Sequence, residues 1–176
     1  MSNIGIVIPA YHEEKNIIKL VKEIRKNVSS YIVIIDDSEN NKTEVEIKKR
    51  NIKNLFYYRR KKKLGRGSAV IFGLKILFKK KKIKYFIEMD SDFSHNPVEL
   101  KRNLKKLINE KLDLLIGSRY LKDSKIKNWP INRIIFSSFA NLILEFLFRL
   151  KINDYTNGYR FYSRDATNIL IKKKNF

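Results

Sequence analysis

The sequence predicts an α/β fold in which a mostly parallel sheet carries helices on both faces. Short runs of Ile, Val, Leu, Phe and Tyr alternate with segments whose apolar residues recur at helical spacing. The chain has 176 residues, 43% of them hydrophobic, which is the length and apolar content of one domain. No internal repeat or flexible linker interrupts the pattern, so we expect one domain over residues 1–176.

Five apolar runs predict buried strands. They are IGIVI (4–8), YIVII (31–35), LFYY (55–58), KYFIEM (84–89) and LDLLIGS (112–118). In sheets built from alternating strands and helices, ligands bind beyond the carboxyl ends of the strands. The residues that follow each run are therefore the first candidates for chemistry.

Three helices are predicted between these strands. The first begins at Glu13 and has the apolar positions Ile17, Leu20, Val21, Ile24 and Val28. The second follows Gly67, with one face formed by Val70, Ile71, Leu74, Leu77 and Phe78. The third begins after Asn96, a capping residue, with Pro97 in its first turn and Glu99 at the spacing of a capping box.

The chain is strongly basic, since 39 Lys and Arg against 18 Asp and Glu give a net charge of +21. Such a field attracts nucleic acid, acidic lipid headgroups or phosphorylated substrates. The runs RRKKK (59–63) and KKKK (79–82) resemble loop and helix-end charge and are not interleaved with aromatic residues, which disfavours nucleic acid. The absence of cysteine excludes disulfides, and IGIVIPAY is too short for a signal segment, so we expect an intracellular protein.

Two aspartates, Asp90 and Asp92, follow the fourth strand in the segment DSD. Side chains at i and i+2 of an extended segment point the same way, so both carboxylates can face one point. Hard oxygen donors of this kind suit Mg²⁺ or Mn²⁺, with a diphosphate completing the coordination. D-x-D is also common in turns and helix starts, but Ser94 or Asn96 already provides a cap, which leaves the aspartates without a structural role.

Other candidate site residues gather at the same predicted edge. After the first, second and fifth strands come Pro9 and the polar residues Tyr11, Glu13, Asp36, Asp37 and Arg119. GRGSAV (65–70) matches G-x-G-x-x-G only in part, and we interpret it as a loop and helix start near phosphate. The two histidines, His12 and His95, are interpreted as polar loop residues.

Seven segments together resemble the GT-A fold, family 2 glycosyltransferases, and within them the dolichyl-phosphate (polyprenyl-phosphate) mannosyltransferases. In chain order these segments are IGIVIPAYHEEKNI, IIDDSENNKT, LGRGSAVIFGLK, EMDSDFSHNP, IGSRY, NWPINR and NDYTNGYRFY. The resemblance covers Ile4 to Tyr162. Because relatives generally continue beyond the position of Phe176, we expect this catalytic domain to be truncated or minimal at its C-terminus.

The resemblance implies a role for each matching residue. For the nucleotide sugar the implied residues are Pro9, Tyr11, Glu13, Ile35, Asp37, Asp90, Ser91, Asp92 and Arg119. The implied metal ligands are Asp90, Asp92 and Ser94, and the implied catalytic residues are Asp90, Asp92 and Arg119. Arg133 is implied to bind the acceptor phosphate.

The implied reaction transfers mannose from GDP-mannose to dolichyl or another polyprenyl phosphate with Mg²⁺ or Mn²⁺. No general base is required, because a phosphate monoester with a second pKa of roughly 6 is already ionised. Three alternatives stay open: a related enzyme that uses a UDP-sugar, an inactive truncated member of the fold, and a nucleic-acid-binding module.

The segment IIFSSFANLILEFLFRL (134–150) predicts a helix with a narrow polar stripe and a wide apolar arc. The stripe consists of Ser137, Asn141, Glu145 and Arg149. About 25 Å of helix containing Glu145 is a poor membrane span. The arc either packs against the sheet or lies in a membrane interface near Trp129 and Arg133, which would make the protein peripheral on the cytoplasmic face. If the chain does not dock directly, an integral membrane partner subunit would have to supply the contact with the membrane.

Overall fold

The computed structural model describes residues 2–121, 131–149 and 152–172. Its strands are β1 (Ile4–Ala10), β2 (Tyr31–Asp36), β3 (Leu55–Arg59), β4 (Tyr85–Glu88), β5 (Leu114–Ile116) and β6 (Arg160–Ser163). Its α-helices are α1 (Ile17–Asn27), α2 (Lys42–Lys48), α3 (Arg66–Phe78), α4 (Leu100–Asn109), α5 (Ile131–Phe148) and α6 (Arg164–Lys172). A 3₁₀ turn, Pro97–Glu99, leads into α4.

The strands form one sheet in the order β3-β2-β1-β4-β6-β5. β1 pairs in parallel with β2 and β4, and β2 pairs in parallel with β3. β6 is antiparallel to both of its neighbours, β4 and β5. The predicted α/β fold with a mostly parallel sheet is therefore confirmed, with one reversed strand that the sequence analysis did not predict.

Each face of the sheet has its own hydrophobic core, because successive side chains of a strand point to opposite sides. Ile6 and Ile8 of β1 pack in the core that contains α1 and α4. Val7, between them, packs in the other core, which contains α3. All six residues of β2 are buried, as expected for a strand covered on both faces.

Several element boundaries differ from the sequence-based prediction. The first helix begins at Ile17 rather than Glu13, because the Glu13 carbonyl closes a turn by accepting from the amides of Asn16 and Ile17. The fifth strand was predicted over 112–118 but contains three residues, since the Leu112 amide still bonds to the Leu107 carbonyl at the exit of α4.

The helix start at Asn96 is confirmed. The Asn96 Oδ1 atom accepts a hydrogen bond of 3.1 Å from the Val98 amide, and Pro97 occupies the first position of the 3₁₀ turn. By contrast, α2, α6 and β6 were not predicted. In α2 only Thr43 and Ile47 are buried, too few apolar positions to reveal a period.

Helix α3 approaches the sheet most closely at Gly73. A Cβ atom there would lie 2.5 Å from Val7 Cγ1 and 3.2 Å from Val33 Cγ1, whereas a Cβ at Gly67 of the same helix would meet no atom within 4 Å. We therefore expect Gly73→Ala to lower the free energy of unfolding by about 1–3 kcal/mol through overpacking, measured by urea denaturation. Gly67→Ala, the matched control, should be neutral or stabilise by up to about 1 kcal/mol. Equal effects of the two substitutions would contradict the close packing of α3 on β1.

Candidate active site

The loop after β4 carries the D-x-D segment, and hydrogen bonds of its own polar groups close it. The Asp90 main-chain amide donates to His95 Nδ1 at 2.9 Å, and the Ser94 amide donates to Asp92 Oδ1 at 2.9 Å. Between them Phe93 adopts a φ of 63°, which costs a non-glycine residue roughly 1–2 kcal/mol. The Ser91 hydroxyl donates to the Pro9 carbonyl at 3.1 Å and so joins this loop to the end of β1.

These contacts correct one step of the sequence analysis. Asp90 and Asp92 were interpreted as lacking a structural role. In the structure, Asp92 closes the turn by accepting from the Ser94 amide, and Asp90 accepts a hydrogen bond from an arginine, Arg66. Burial raises the pKa of Asp92, but hydrogen bonds from the Ser94 hydroxyl and amide outweigh it and hold the pKa below its ordinary value. Asp92 is therefore a carboxylate at neutral pH, as a cation ligand must be.

Arg66, at the start of α3, contacts the first aspartate of the loop and was missed by the sequence analysis. Its Nε donates to Asp90 Oδ1 at 2.7 Å, its Nη1 to Glu88 Oε1 at 2.9 Å and its Nη2 to the Gly158 carbonyl at 3.1 Å. Burial lowers the pKa of Arg66, but the charges of Asp90 and Glu88 outweigh it and raise the pKa overall. The segment GRGSAV (65–70), which matches the glycine motif only in part, thus contributes the guanidinium of Arg66 to the D-x-D loop.

Glu88 is a buried carboxylate in β4, directly beside this arginine. Its second oxygen, Oε2, accepts from the Tyr162 hydroxyl at 2.8 Å. A buried charge requires a partner and hydrogen bonds, and Arg66 and Tyr162 provide both. Arg66 is consequently shared between a structural carboxylate and a candidate metal ligand.

The two aspartates after β2 have internal partners. Asp37 is buried and accepts two bonds from Arg60, from Nε at 2.5 Å and from Nη2 at 2.6 Å. Asp36 accepts from the Tyr57 hydroxyl at 2.7 Å and from Ser38. Arg60 of the RRKKK run lies in the loop after β3, as predicted, and anchors that loop on Asp37. The Ile35 side chain is fully buried, so any ligand contact at this position would involve the main chain.

Tyr11 offers an accessible aromatic ring beside these loops. The residue is 38% exposed, its hydroxyl donates to Glu39 Oε1 at 2.8 Å, and Lys63 Nζ lies 3.6 Å from the ring centroid. Nearby, burial raises the pKa of Glu13, and the negative charge of Asp92 adds to this effect. His12 is a polar loop residue as predicted, with Nε2 at 2.8 Å from Glu39 Oε2. His95 also lies in a loop, as predicted, but its side chain is buried.

Arg119, beyond the end of β5, is held by Asp154. Its Nε and Nη2 atoms donate to the two carboxylate oxygens at 2.7 Å each, and Nη2 also donates to Thr156 Oγ1 at 2.5 Å. Burial raises the pKa of Asp154, but these bonds and the charge of Arg119 outweigh it and lower the pKa below its ordinary value. The guanidinium plane of Arg119 therefore has a defined orientation at the same sheet edge as the D-x-D loop.

Helix α5 turns polar side chains towards the segment that holds Arg119. Asn141 Oδ1 accepts from the Tyr155 amide at 2.8 Å, and the Ser137 hydroxyl lies 3.3 Å from Thr156 Oγ1. The large hydrophobic side chains of α5 that are exposed are Phe139, Leu142, Ile143, Phe146, Leu147 and Phe148, and the polar residues Ser138 and Glu145 are exposed as well. Burial against the sheet is therefore wrong for the six hydrophobic residues.

Some predicted residues lie outside the described part of the chain. They are residues 122–130, which include Trp129, and the side chain of Arg133. Among the residues that the structure describes, no helix is both long and apolar enough to cross a membrane.

The family model described as glycosyl transferase family 2 matches residues 5–170. The chain belongs to this family. A protein of Mycolicibacterium smegmatis named polyprenol monophosphomannose synthase is 32% identical over 165 residues, which cover 92% of this chain and 62% of that protein. A dolichol-phosphate mannosyltransferase of Pyrococcus furiosus is 33% identical over 144 residues, covering 80% and 40% respectively. The family 2 chain thus spans less than two thirds of the length of these two relatives.

Solved structures confirm the GT-A glycosyltransferase fold. Glucosyl-3-phosphoglycerate synthase from Mycobacterium tuberculosis, crystallised with Mn²⁺, uridine diphosphate and phosphoglyceric acid, superimposes with a TM-score of 0.61 at 19% identity. The alignment covers 93% of this chain and 56% of the synthase. At that identity the likeness shows the fold and leaves the substrates of this family 2 chain open.

The donor atoms of the D-x-D loop fit a divalent cation that also binds a diphosphate. Asp90, Asp92 and Ser94 provide hard oxygen ligands, the type that Mg²⁺ and Mn²⁺ prefer. Within the described residues no group of three or more His, Cys, Asp or Glu side chains could hold a metal ion. A cation held by Asp90 and Asp92 would therefore need oxygen atoms of substrate or water to complete its coordination.

The pair between Arg119 and Asp154 should make the stability of this glycosyltransferase chain depend on pH. The folded state lowers the pKa of Asp154 from its ordinary 3.8, so the carboxylate stabilises the fold above that pH and loses its contribution as pH falls below it. We expect Asp154→Asn to lower the free energy of unfolding by roughly 3 kcal/mol near neutral pH. Urea denaturation should show this difference narrowing as pH falls below 3.8 and the wild-type carboxylate becomes protonated. Asp165→Asn, an exposed control in α6, should change little, and a difference that is constant with pH would contradict a charge effect.

Proposed function

We propose that this family 2 glycosyltransferase transfers mannose from GDP-mannose to a polyprenyl phosphate such as dolichyl phosphate, as a peripheral protein on the cytoplasmic face of a membrane. One observation carries the proposal: Thr156 contacts Arg119 at 2.5 Å and Ser137 of α5 at 3.3 Å. A cation at the same sheet edge as the D-x-D loop is therefore joined, through Thr156, to a helix that exposes six large apolar side chains. A lipid phosphate has the matching chemistry, an anionic head on an apolar tail.

The names of the relatives support the same substrates. The Mycolicibacterium protein is named for polyprenol and mannose, and the Pyrococcus protein for dolichol phosphate and mannose. GDP-mannose is the donor that we favour on the sequence resemblance. A UDP-sugar is the alternative donor, and the transfer assay below distinguishes the two.

Different residues are proposed to bind the donor sugar nucleotide and the acceptor phosphate. Pro9, Tyr11 and Glu13 line the donor side, where the exposed ring of Tyr11 offers a surface for the nucleotide. Asp90 and Asp92 would hold Mg²⁺ or Mn²⁺ with Ser94, and the bound ion would act as a Lewis acid that stabilises the charge of the departing nucleoside diphosphate. Ser91 fixes the D-x-D loop against β1.

On the acceptor side, binding and orientation are sufficient. A polyprenyl phosphate is ionised near neutral pH, so its oxygen attacks without a general base on the protein. Arg119 carries a positive charge that attracts phosphate, and Asp154 sets the orientation of its guanidinium by accepting from Nε and Nη2. Arg133, whose side chain lies outside the described residues, is proposed as a further ligand of the acceptor phosphate.

The D-x-D loop can be tested by substitution. We expect Asp90→Asn and Asp92→Asn each to lower sugar transfer by roughly 100-fold, because loss of about 3 kcal/mol of charge stabilisation has that effect on rate. The fold should persist, since an asparagine at position 92 can still accept from the Ser94 amide. The measurement is transfer of radiolabelled sugar to polyprenyl phosphate with Mg²⁺ or Mn²⁺, comparing GDP-mannose with UDP-glucose.

Asp165→Asn is the matched control for this assay, because it removes an exposed carboxylate of α6 and should leave transfer unchanged. Near wild-type transfer by both D-x-D variants would contradict the metal assignment. Transfer from UDP-glucose alone would replace the proposed donor, and a wild-type chain that transfers neither sugar would contradict the proposed function.

The exposed apolar face of α5 should bind membranes together with the positive charge of the chain. Phe146, 81% exposed, is its most accessible large side chain. We expect the protein to sediment with anionic vesicles at low salt and to be released as salt rises, because screening weakens the attraction of basic residues to acidic headgroups. Trp129→Ala and Phe146→Ser should each weaken sedimentation.

Ile169→Ser provides the control, because Ile169 is a large exposed side chain of α6, 62% accessible, away from this face. Equal losses from Phe146→Ser and Ile169→Ser would contradict docking by α5. A protein that stays in the supernatant with anionic vesicles would show that contact with the membrane requires an integral partner subunit.

A further inference from the structure

We propose that His95 and Asn157 are positioning residues that lock the D-x-D loop and Arg119 into one arrangement. The catalytic consequence rests on the proposed function, because it assumes that the loop binds a metal and a nucleoside diphosphate. The inference itself comes from a continuous set of buried hydrogen bonds that joins these two parts of the candidate site.

The His95 ring is bonded at both nitrogens. Its side chain is 7% exposed, Nδ1 accepts the Asp90 amide at 2.9 Å, and Nε2 lies 3.0 Å from Asn157 Oδ1. Since a main-chain amide can only donate, Nδ1 carries no proton and Nε2 donates to the asparagine. The ring also stacks on Tyr159 with centroids 4.9 Å apart and planes at 10°. Both nitrogen atoms and one face of the His95 imidazole ring are thus held in place by neighbouring groups.

Asn157 continues the connection to the other side of the site. Its Oδ1 also accepts from the Tyr159 amide at 3.1 Å, and its Nδ2 donates to the Gly117 carbonyl. Its own amide donates to Asp154 Oδ1 at 3.1 Å. The oxygen and the nitrogen of the asparagine side chain therefore both bond within the protein, to two distant stretches of chain, at His95 and Gly117, and to its own stretch at Tyr159.

Asp154 completes the connection, because it accepts the forked pair of bonds from Arg119. The path from the Asp90 amide to the Arg119 guanidinium runs through His95, Asn157 and Asp154, each of them buried. Buried polar networks are costly to break, because a freed donor or acceptor has no water to replace its partner. The loop and the arginine therefore cannot shift independently at low cost.

This geometry distinguishes His95 from a histidine that only fills a core. It holds the main chain of Asp90, a candidate metal ligand, while its other nitrogen holds the segment that orients Arg119. Residues that orient metal ligands in this way commonly change metal affinity or activity by about 10- to 100-fold when they are replaced. Nδ1 holds the main chain of the D-x-D loop, and Nε2 holds the segment that orients Arg119. We therefore expect loss of Nδ1 to weaken metal binding and loss of Nε2 to lower the rate of transfer.

Two conservative variants separate these tasks. His95→Asn places an acceptor where Nδ1 stands and loses the donor to Asn157, whereas His95→Gln places a donor where Nε2 stands and loses the acceptor for the Asp90 amide. The measurement that distinguishes them is the affinity for Mn²⁺ in the presence of GDP, obtained by electron paramagnetic resonance. His95→Gln should weaken Mn²⁺ binding by about 10- to 100-fold, and His95→Asn should stay within about threefold of wild type.

Transfer kinetics then test the link to Arg119. His95→Asn and Asn157→Ala should each lower kcat by about tenfold or more at saturating Mn²⁺, with little change in KM for the sugar nucleotide. Gly73→Ala serves as the matched control, because it destabilises the fold away from the site and should leave Mn²⁺ affinity unchanged.

The outcomes are distinct. Equal loss of Mn²⁺ affinity in the Asn and Gln variants, or loss in neither, would overturn the positioning role. Failure of the wild-type protein to bind Mn²⁺ with GDP and also with UDP would overturn it as well. Graded Mn²⁺ affinities in a protein that transfers no sugar would support the positioning role and contradict the proposed function.

Discussion

The parallel pairing of β1 with β2 and β4 is the constraint on which the rest of the structure depends. It buries β1 on both faces and brings the chain segments after three strands to one edge of the sheet. The reversed strand β6 then delivers its preceding segment, residues 152–159, to the same edge from the opposite direction. The D-x-D loop meets its partners there because the pairing of β4 with β1 and β6 brings the ends of these strands together.

Arginine–carboxylate pairs organise this edge. Asp37 pairs with Arg60, Glu88 and Asp90 share Arg66, and Asp154 holds Arg119. A carboxylate removed from water needs a cation and hydrogen bonds, so each pair satisfies a desolvated group and at the same time fixes a loop. The site is therefore preorganised by charge, and the large excess of lysine remains available for anionic surfaces and substrates.

Helix α5 reverses the usual arrangement of an amphipathic helix on a soluble protein. Its polar residues Ser137 and Asn141 contact the chain, while large apolar side chains face outwards. An exposed apolar face of this size is typical of an interaction surface. Because the polar side of α5 touches Thr156, the same short segment connects this surface with the arginine of the candidate site.

The amino-acid sequence alone was enough to predict the α/β class, the strands β1 to β4, the cap at Asn96 and the position of Asp90 and Asp92 at a strand end. These features follow from local periodicity and from residues within one turn of each other. It could not determine that Arg66 contacts Asp90, that His95 is buried against Asn157, or that Arg60 anchors on Asp37, since these partners are 24, 62 and 23 residues apart. For α5 the periodicity predicted a polar stripe and an apolar arc, but only the tertiary structure decided which one faces the protein. The sequence of a helix specifies which of its sides is polar and which is apolar. The packing of distant segments decides which of these sides contacts the rest of the protein.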